Sequence, residues 1–313
     1  GNVVAFSVTL VCITYVLVYG KVLDWYNDRS ICTVSFVAII FGCVFFYLEK
    51  GRNSHYMLLD VLRLRTIRLG VLLYLLLMIF NSSAMFVNVF TGIGMKLDNY
   101  QNATLGNWCM AGYAIGALSS MFLGSKGVHF KYLFAAGFLF LGLSAVFMYF
   151  EVQSAGLYER MKYPVIIRTT GMMFLYALTA AYATQRMPYK YLSTWICVML
   201  TVRMVLGPSI GGAIYSNVLQ ERQQHYIVRY AQNVDMLHPE ASASFIQTMQ
   251  GMQYQGKSKQ EALNMTALST KGRIQVQATL SAVKEMAGWT IYGCLFCMIF
   301  VLIIPYPKRK LLT

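Results

Sequence analysis

Repeated apolar runs of about 20 residues are the feature that most constrains this chain. Such a run has the length that a helix needs to cross the hydrocarbon core of a bilayer. The 313-residue sequence is 57% hydrophobic and only 12% charged, which excludes an ordinary soluble globular protein. We therefore predict an all-α fold, a polytopic integral membrane helix bundle with eight transmembrane helices.

The predicted spans are separated by short polar turns, with two longer exceptions. The spans are Asn2–Tyr19, Ser30–Leu48, Leu69–Met95, Trp108–Gly124, Tyr132–Phe150, Tyr163–Thr184, Tyr191–Asn217 and Met286–Ile304. The first exception, residues 49–68, has an amphipathic centre that we expect to lie along the lipid headgroups. The second, Val218–Glu285, is predicted to lie outside the membrane. Two or three outer helices, one of them opened by a Ser258/Glu261 capping box, or a disordered tether are the alternatives for it.

The net charge of +14 raises the possibility of nucleic-acid binding. The Lys and Arg residues gather, however, in short loops between the spans, and most of these loops fall on the side of Gly1. That distribution predicts membrane orientation and no nucleic-acid partner, with the basic side in the cytoplasm. An even number of spans then places both ends of this chain in the cytoplasm.

The stretch Thr201–Ser216 carries a charge inside the seventh predicted span. Arg203 lies about half way along that span, where a cation is costly unless it faces protein or water. Small residues follow it at helical spacing, and Pro208 removes a backbone hydrogen bond and predicts a kink. The residues predicted to let this helix flex and pack are Gly207, Pro208, Gly211 and Gly212. We interpret the stretch as a moving part or a cavity wall.

Polar side chains in other spans fall on helical faces that would share a cavity with Arg203. The candidates for a substrate cavity are Arg203, Asn81, Asn88, Arg168, Tyr176 and Thr201. Packing is the alternative, since Asn and Thr side chains also hydrogen-bond neighbouring helices within a bundle. Arg168 has a further alternative, in which its long side chain reaches the membrane interface.

The fourth predicted span carries small residues at strict four-residue spacing. They are Gly112, Gly116, Ser120 and Gly124. Spacing of this kind places the residues on one helical face and is typical of a packing seam between membrane helices rather than of a ligand site.

Signatures of catalysis are absent from the sequence. The four His residues show no metal-ligand spacing, and there is no Ser/His/Asp set or phosphate-binding glycine loop. Cys294 and Cys297 lie inside an apolar run, where cysteine behaves as a small hydrophobic residue. The sequence therefore predicts no enzyme, no cofactor and no metal site.

Four short motifs occur in a recognisable order. They are Leu58-Leu59-Asp60-Val61, Arg203-x-x-x-Gly207-x-x-x-Gly211, Glu221-Arg222…His225 and Glu261-Ala262…Gln275-Val276-Gln277-Ala278. Together with two spans, a basic connector and six further spans, they resemble the C-terminal part of a 14-helix drug:proton antiporter of the major facilitator superfamily (EmrB/QacA type). The resemblance covers essentially the whole chain.

The resemblance implies a domain organisation. Residues 1–48 would be two extra central helices, residues 49–68 a cytoplasmic connector, and residues 69–313 a C-terminal six-helix transporter bundle with a long outer loop at 218–285. A six-helix N-terminal bundle of the same protein would be the partner of this chain.

The resemblance also implies a function, namely secondary active export of drugs or other amphiphilic small molecules across a bacterial inner membrane by proton-coupled alternating access. The loop Gly124–Lys131 lacks the Asp of the family's loop motif, so the proton as a partner rests on the resemblance alone. The competing class is a non-transporting membrane scaffold or sensor that uses residues 218–285 as its binding surface.

Overall fold

The computed structural model describes residues 1–50, 59–153, 156–185, 187–232 and 239–306. All regular secondary structure within these ranges is helical, as the sequence predicts. Seven of the helical segments described are long and apolar enough to cross a membrane, which is consistent with a multi-pass membrane protein.

The α-helices are α1 (Asn2–Tyr19), α2 (Arg29–Lys50), α3 (Arg65–Asn81), α4 (Ala84–Val89), α5 (Asn99–Ser125), α6 (Phe130–Glu151), α7 (Lys162–Thr184), α8 (Leu192–Thr201), α9 (Gly207–Gln232), α10 (Pro239–Tyr254) and α11 (Lys259–Ile303). Short 3₁₀ helices cover Trp25–Asn27, Leu59–Arg63, Tyr158–Met161 and Tyr189–Tyr191. Two π-helical turns, Phe90–Gly94 and Val202–Leu206, continue α4 and join α8 to α9. The boundaries of α1, α2, α6 and α7 fall within a few residues of the predicted spans.

The first two helices form a hairpin that contacts the other helices through α1, which packs against α9. The side-chain amide of Asn2 donates a hydrogen bond to the buried carboxylate of Glu49 at 2.8 Å, which ties the start of α1 to the end of α2. At the other end, the backbone N–H of Ser30 donates to Asp28 at 2.6 Å. Hydrogen bonds from the side chain and backbone of Ser30 hold the pKa of Asp28 below its ordinary value.

The connector differs from its predicted bounds. Glu49 still belongs to α2, and α3 already begins at Arg65. Residues 51–58 lie outside the described residues. Between them and α3, a 3₁₀ helix (Leu59–Arg63) buries Val61 completely, while Arg63 and Asp60 form an exposed ion pair at 3.5 Å.

The fourth predicted span is longer than expected, because α5 begins at Asn99 rather than Trp108. Asp98 and Gln101 form a capping box that satisfies backbone N–H groups of the first turn. The predicted start at Trp108 left out these polar first turns. At 27 residues α5 has the length of a span, but it is not among the seven apolar segments.

The third predicted span is broken instead of continuous. Helix α3 ends at Asn81, and α4 starts after Ser82 and Ser83. The hydroxyl of Ser82 donates to the carbonyl of Met78 at 3.0 Å, a contact that bends helices because it competes with the backbone bond. The π turn Phe90–Gly94 then ends the segment, with the N–H of Met95 bonded to the carbonyl of Phe90.

The seventh predicted span is likewise interrupted. The N–H of Gly207 bonds to the carbonyl of Val202, five residues back, which defines the π turn. Pro208, which has no N–H to donate, follows directly. Beyond the turn, α9 extends past the predicted end at Asn217 to Gln232.

The outer segment is helical in its described parts. The hydroxyl of Ser258 and the carboxylate of Glu261 form the predicted capping box, and α11 then runs for 45 residues into the last predicted span. Helix α10 packs against α11. These helices confirm the helical alternative over the described parts of 218–285, whereas residues 233–238 lie outside the description.

Helix α7 occupies the centre of the bundle. It packs against α3, α5 and α6, while α11 packs against α6 and α9, and α9 packs against α3. The largest fully buried side chains include Tyr74, Phe134, Phe174, Tyr182 and Trp195. The packing of this bundle therefore depends on how closely α3, α5 and α6 approach α7.

Replacing Gly116 by Ala tests the packing of α5 on α7. A Cβ at this position would lie 2.6 Å from the carbonyl oxygen of Thr170, which is backbone and cannot rotate away. We expect Gly116→Ala to lower the free energy of unfolding by about 1–3 kcal/mol, the usual effect of overpacking.

The matched control is Gly106→Ala in the same helix, where a Cβ would meet no atom within 4 Å. It should raise stability slightly, because Ala is the better helix former. Both variants are compared by thermal unfolding in detergent. A Gly116→Ala protein as stable as Gly106→Ala would contradict the close contact.

Candidate functional site

Arg203 lies in the π turn between α8 and α9 and reaches across to α7. Its guanidinium carbon is 4.0 Å from the centroid of the Tyr176 ring, and its Nη1 donates a hydrogen bond to the Tyr176 hydroxyl. A cation on an aromatic face gains up to about 2 kcal/mol when the pair is shielded from water. The cation thus has a protein partner on another helix.

Tyr74 holds Tyr176 in place, and Trp195 in turn packs near Tyr74. The hydroxyl of Tyr74 on α3 donates to the backbone carbonyl of Tyr176 at 3.1 Å, and the two rings pack edge to face at 5.5 Å between centroids. The Trp195 ring of α8 lies 6.2 Å from that of Tyr74. We call Arg203, Tyr176, Tyr74 and Trp195 the aromatic cluster.

Sequence reasoning missed Tyr74 and Trp195. One signal was available in Gly70, which lies one turn before Tyr74. A Cβ at Gly70 would come within 3.0 Å of Trp195 and 3.3 Å of Ala183. This glycine therefore opens the space in which the indole ring meets α3.

Arg168 and Asn81 form a second polar contact between α7 and α3. The Nη1 of Arg168 donates to the side-chain oxygen of Asn81 at 2.7 Å. The Nε of Arg168 is buried and has no hydrogen-bond partner among the described residues. At 1.5 Å per residue, this contact lies about 10 Å along α3 from Tyr74. The two contacts follow one face of α7 at different depths.

The other two residues predicted to line the cavity, Asn88 and Thr201, take no part in these contacts. Asn88 lies on α4, beyond the break in the third predicted span, and its side chain is exposed. Thr201 is the last residue of α8, and its side chain is partly buried. The structure thus brings Arg203 together with Tyr176, and Arg168 together with Asn81.

The glycines after Arg203 differ in how closely other helices approach them. A Cβ at Gly207 would be 2.8 Å from the Cγ of Met78, and one at Gly211 would be 3.0 Å from the Cα of Ile79, so both lie directly against α3. A Cβ at Gly212, by contrast, would meet nothing within 4 Å. Pro208 is exposed. One face of this stretch packs on α3 while its other face is open.

The small residues of α5 lie against α7. A Cβ at Gly112 would be 2.6 Å from the carbonyl oxygen of Ile166, and Gly116 makes an equally close approach to Thr170. Ser120 is buried on the same face. Gly124 is partly buried in the last turn, where its carbonyl accepts the N–H of Gly127 at 3.3 Å.

Metal-ligating side chains do not converge in the described part of the chain. No three His, Cys, Asp or Glu residues there lie close enough together to hold a metal ion. The seven cysteines are free thiols, of which Cys294 and Cys297 are buried.

No protein-family model matches the chain, and no curated protein matches it. The resemblance to the drug:proton antiporters therefore stays a prediction.

A double-mutant cycle tests the pairing of Arg203 with Tyr176. Arg203→Met removes the charge and Tyr176→Leu removes the ring, so the two single changes abolish the same interaction. We expect their effects on the free energy of unfolding to be non-additive by about 0.5–2 kcal/mol.

Arg229→Met combined with Tyr176→Leu is the matched control, because Arg229 is exposed near the far end of α9. This pair should be additive to within about 0.5 kcal/mol. Unfolding is followed by thermal denaturation in detergent. Additivity in the Arg203 cycle as well would show that the pair contributes nothing.

Proposed function

We propose that this chain is part of a secondary active transporter that exports drugs or other amphiphilic small molecules. The observation that supports this most strongly is the location of Arg203, in a helix break and against the Tyr176 ring of α7. Charged residues inside membrane spans commonly mark substrate or ion pathways. Interrupted helices are also where transporters commonly form their binding sites.

The aromatic cluster supports recognition of an amphiphile. Tyr176 and Arg203 are partly exposed, so the Tyr176 ring offers an apolar surface with a cation on it, while the buried Tyr74 and Trp195 rings support it from behind. An anionic or polar group of a substrate would compete with the Tyr176 hydroxyl for the guanidinium, while its apolar part would pack on the exposed part of the Tyr176 ring. Arg168 and Asn81 supply a second polar pair two turns away along α3.

Alternating access would use the interrupted helices. The π turn and Pro208 leave α8 without a continuous backbone hydrogen-bond ladder to α9, so these halves can change their relative angle. Gly207 and Gly211 keep α9 against α3 during such a change. In this proposal the N-terminal bundle of the same protein forms the opposite wall, and protons supply the drive, as the resemblance implies.

The membrane arrangement belongs to the same proposal. Helix α5 is the eighth span: its 27 residues extend about 40 Å, and it packs along α7, which is itself a candidate span. Its polar N-terminal turns would then lie at the membrane surface. With eight spans, the distribution of basic loops places both ends of the chain in the cytoplasm of a bacterial cell.

A membrane scaffold or sensor is the second candidate. The outer helices favour it, since α10 and the first half of α11 pack together and present exposed side chains such as Leu268 and Tyr254. This surface is compatible with binding of a partner protein, and equally with outer helices that lie over a transporter bundle.

Replacing Arg203 by Ala in the full-length protein tests the transport proposal. We expect export of a fluorescent amphiphile from cells to fall at least about tenfold, because the substrate loses its cationic partner, which is worth about 1.4 kcal/mol or more. The control variant Arg229→Ala, which removes an exposed Arg of α9, should export at the normal rate. Both proteins should be present in membranes at equal amounts, as measured by immunoblotting. Normal export by Arg203→Ala would reject a role for this residue in the cavity.

Replacing residues 233–257 by a Gly/Ser linker separates the two candidates. The change removes α10 but keeps the capping box that starts α11. A transporter should retain most of its export, because the aromatic cluster is untouched. A non-transporting scaffold should show no export before or after the change, and it should lose its partner while the protein remains in the membrane.

A further inference from the structure

A cavity of about 200 Å³ lies between α3, α9 and α11, away from the aromatic cluster. Most of its wall is apolar, and these residues are Ile79, Phe80, Ile214, Val218, Met286 and Trp289. Ile214 and Trp289 are 47% and 46% exposed, so the cavity opens on the outer surface of the bundle. We call this the lateral cavity.

Two polar residues of the lateral cavity already have each other as partners. The hydroxyls of Tyr215 and Thr290 lie 3.1 Å apart and form a hydrogen bond between α9 and α11. Thr290 also donates to the carbonyl of Met286 at 2.9 Å. The interior of the cavity therefore favours an apolar occupant.

A cation lies at one end of the lateral cavity. Arg222 follows Val218 by one turn of α9, and its guanidinium carbon is 4.8 Å from the centroid of the Trp289 ring. Its Nη1 forms an ion pair with the carboxylate of Glu285 at 3.7 Å, which is too long for a direct hydrogen bond. The Nε of Arg222 is buried and has no hydrogen-bond partner among the described residues. The guanidinium is thus held beside the Trp289 ring and the Glu285 carboxylate, and a phosphate at the end of the cavity would compete with Glu285 for its Nη groups.

The volume restricts what can enter. Pockets for drug-sized ligands measure about 300–1,000 Å³, so the lateral cavity is too small for a whole amphiphilic drug. A narrow chain of methylene groups that enters from the surface fits better. In a membrane, a cavity that opens on the surface of the bundle is accessible to the acyl chains of the surrounding lipids.

We propose that the lateral cavity binds one acyl chain of an anionic phospholipid, whose phosphate group pairs with Arg222. The apolar wall receives the chain, and Trp289 lies between the chain and the headgroup, where amphipathic aromatic rings commonly reside. Arg222 supplies the charge complementarity that selects an anionic headgroup over a zwitterionic one. This inference depends on the membrane placement proposed above but not on transport.

Quenching of Trp289 fluorescence by brominated lipids tests the proposal. The full chain is reconstituted into phosphatidylcholine vesicles that contain a small, equal fraction of either brominated phosphatidylglycerol or brominated phosphatidylcholine. The signal of Trp289 is the difference between the natural protein and Trp289→Phe. We expect the apparent affinity for the brominated phosphatidylglycerol to be about fivefold higher, as one basic side chain near an anionic headgroup provides.

Two pairs of variants separate the headgroup from the chain. Arg222→Gln should abolish the preference for phosphatidylglycerol, whereas Arg229→Gln, which removes an exposed Arg of the same helix, should keep it. Val218→Phe fills the cavity and should reduce quenching by both lipids, whereas Val228→Phe at an exposed position should not.

Equal quenching by both brominated lipids in the natural protein would overturn the proposal without recourse to any variant. An unchanged preference in Arg222→Gln would overturn the role of that residue. Stronger quenching by a brominated fatty acid than by the phospholipid would identify a free fatty acid as the occupant and reject the phospholipid. Export is measured separately, so a failure of this proposal is distinguishable from a failure of the transport proposal.

Discussion

Close contact at glycine is the constraint on which this bundle depends. Helices that cross a bilayer gain little hydrophobic free energy by packing together, because lipid tails are as apolar as the side chains that they replace. Association then relies on dispersion and on how near two backbones can approach. Gly112 and Gly116 bring α5 onto α7, Gly171 meets Phe140 of α6, and Gly207 brings α9 onto α3. Bulk at these positions would separate the helices that carry the Arg203–Tyr176 and Arg168–Asn81 contacts.

Backbone irregularity and polar chemistry coincide in this structure. Arg203 lies inside a π turn, and Asn81 is the last residue before the break between α3 and α4. A regular helix would point these side chains at fixed intervals around its axis, whereas an extra or missing residue in a turn redirects them. The interruptions cost backbone hydrogen bonds, and π turns are frequent at functional sites. Arg203 and Asn81 are therefore better candidates for function than the apolar residues around them.

Sequence reading succeeded where one strong local signal decided the outcome. Uninterrupted apolar runs fixed α1 and α6 to within a few residues, and the Ser258/Glu261 pair fixed the start of α11. The charge of Arg203 singled it out in an apolar span, and Tyr176 was among the candidates for the same cavity, but Tyr74, which bonds to Tyr176 from 102 residues away in sequence, was not predicted. Single-sequence reasoning cannot register two helices against each other. The break at Ser82 was missed for a different reason, because serine is common in unbroken membrane helices as well.

The segment Met78–Ser82 connects the sites that the structure contains. Met78 packs on Gly207 of α9, Phe80 contacts Gly293 of α11 and Phe138 of α6, and Asn81 accepts the hydrogen bond from Arg168 of α7. The same segment lines the lateral cavity through Phe80 and its neighbour. Because these residues are consecutive, a displacement of one is passed through the backbone to its neighbours. An occupant of the lateral cavity would therefore act on the same short stretch of backbone that holds α9 and Arg168, and this shared stretch is a physical route by which lipid could influence the polar contacts of the bundle.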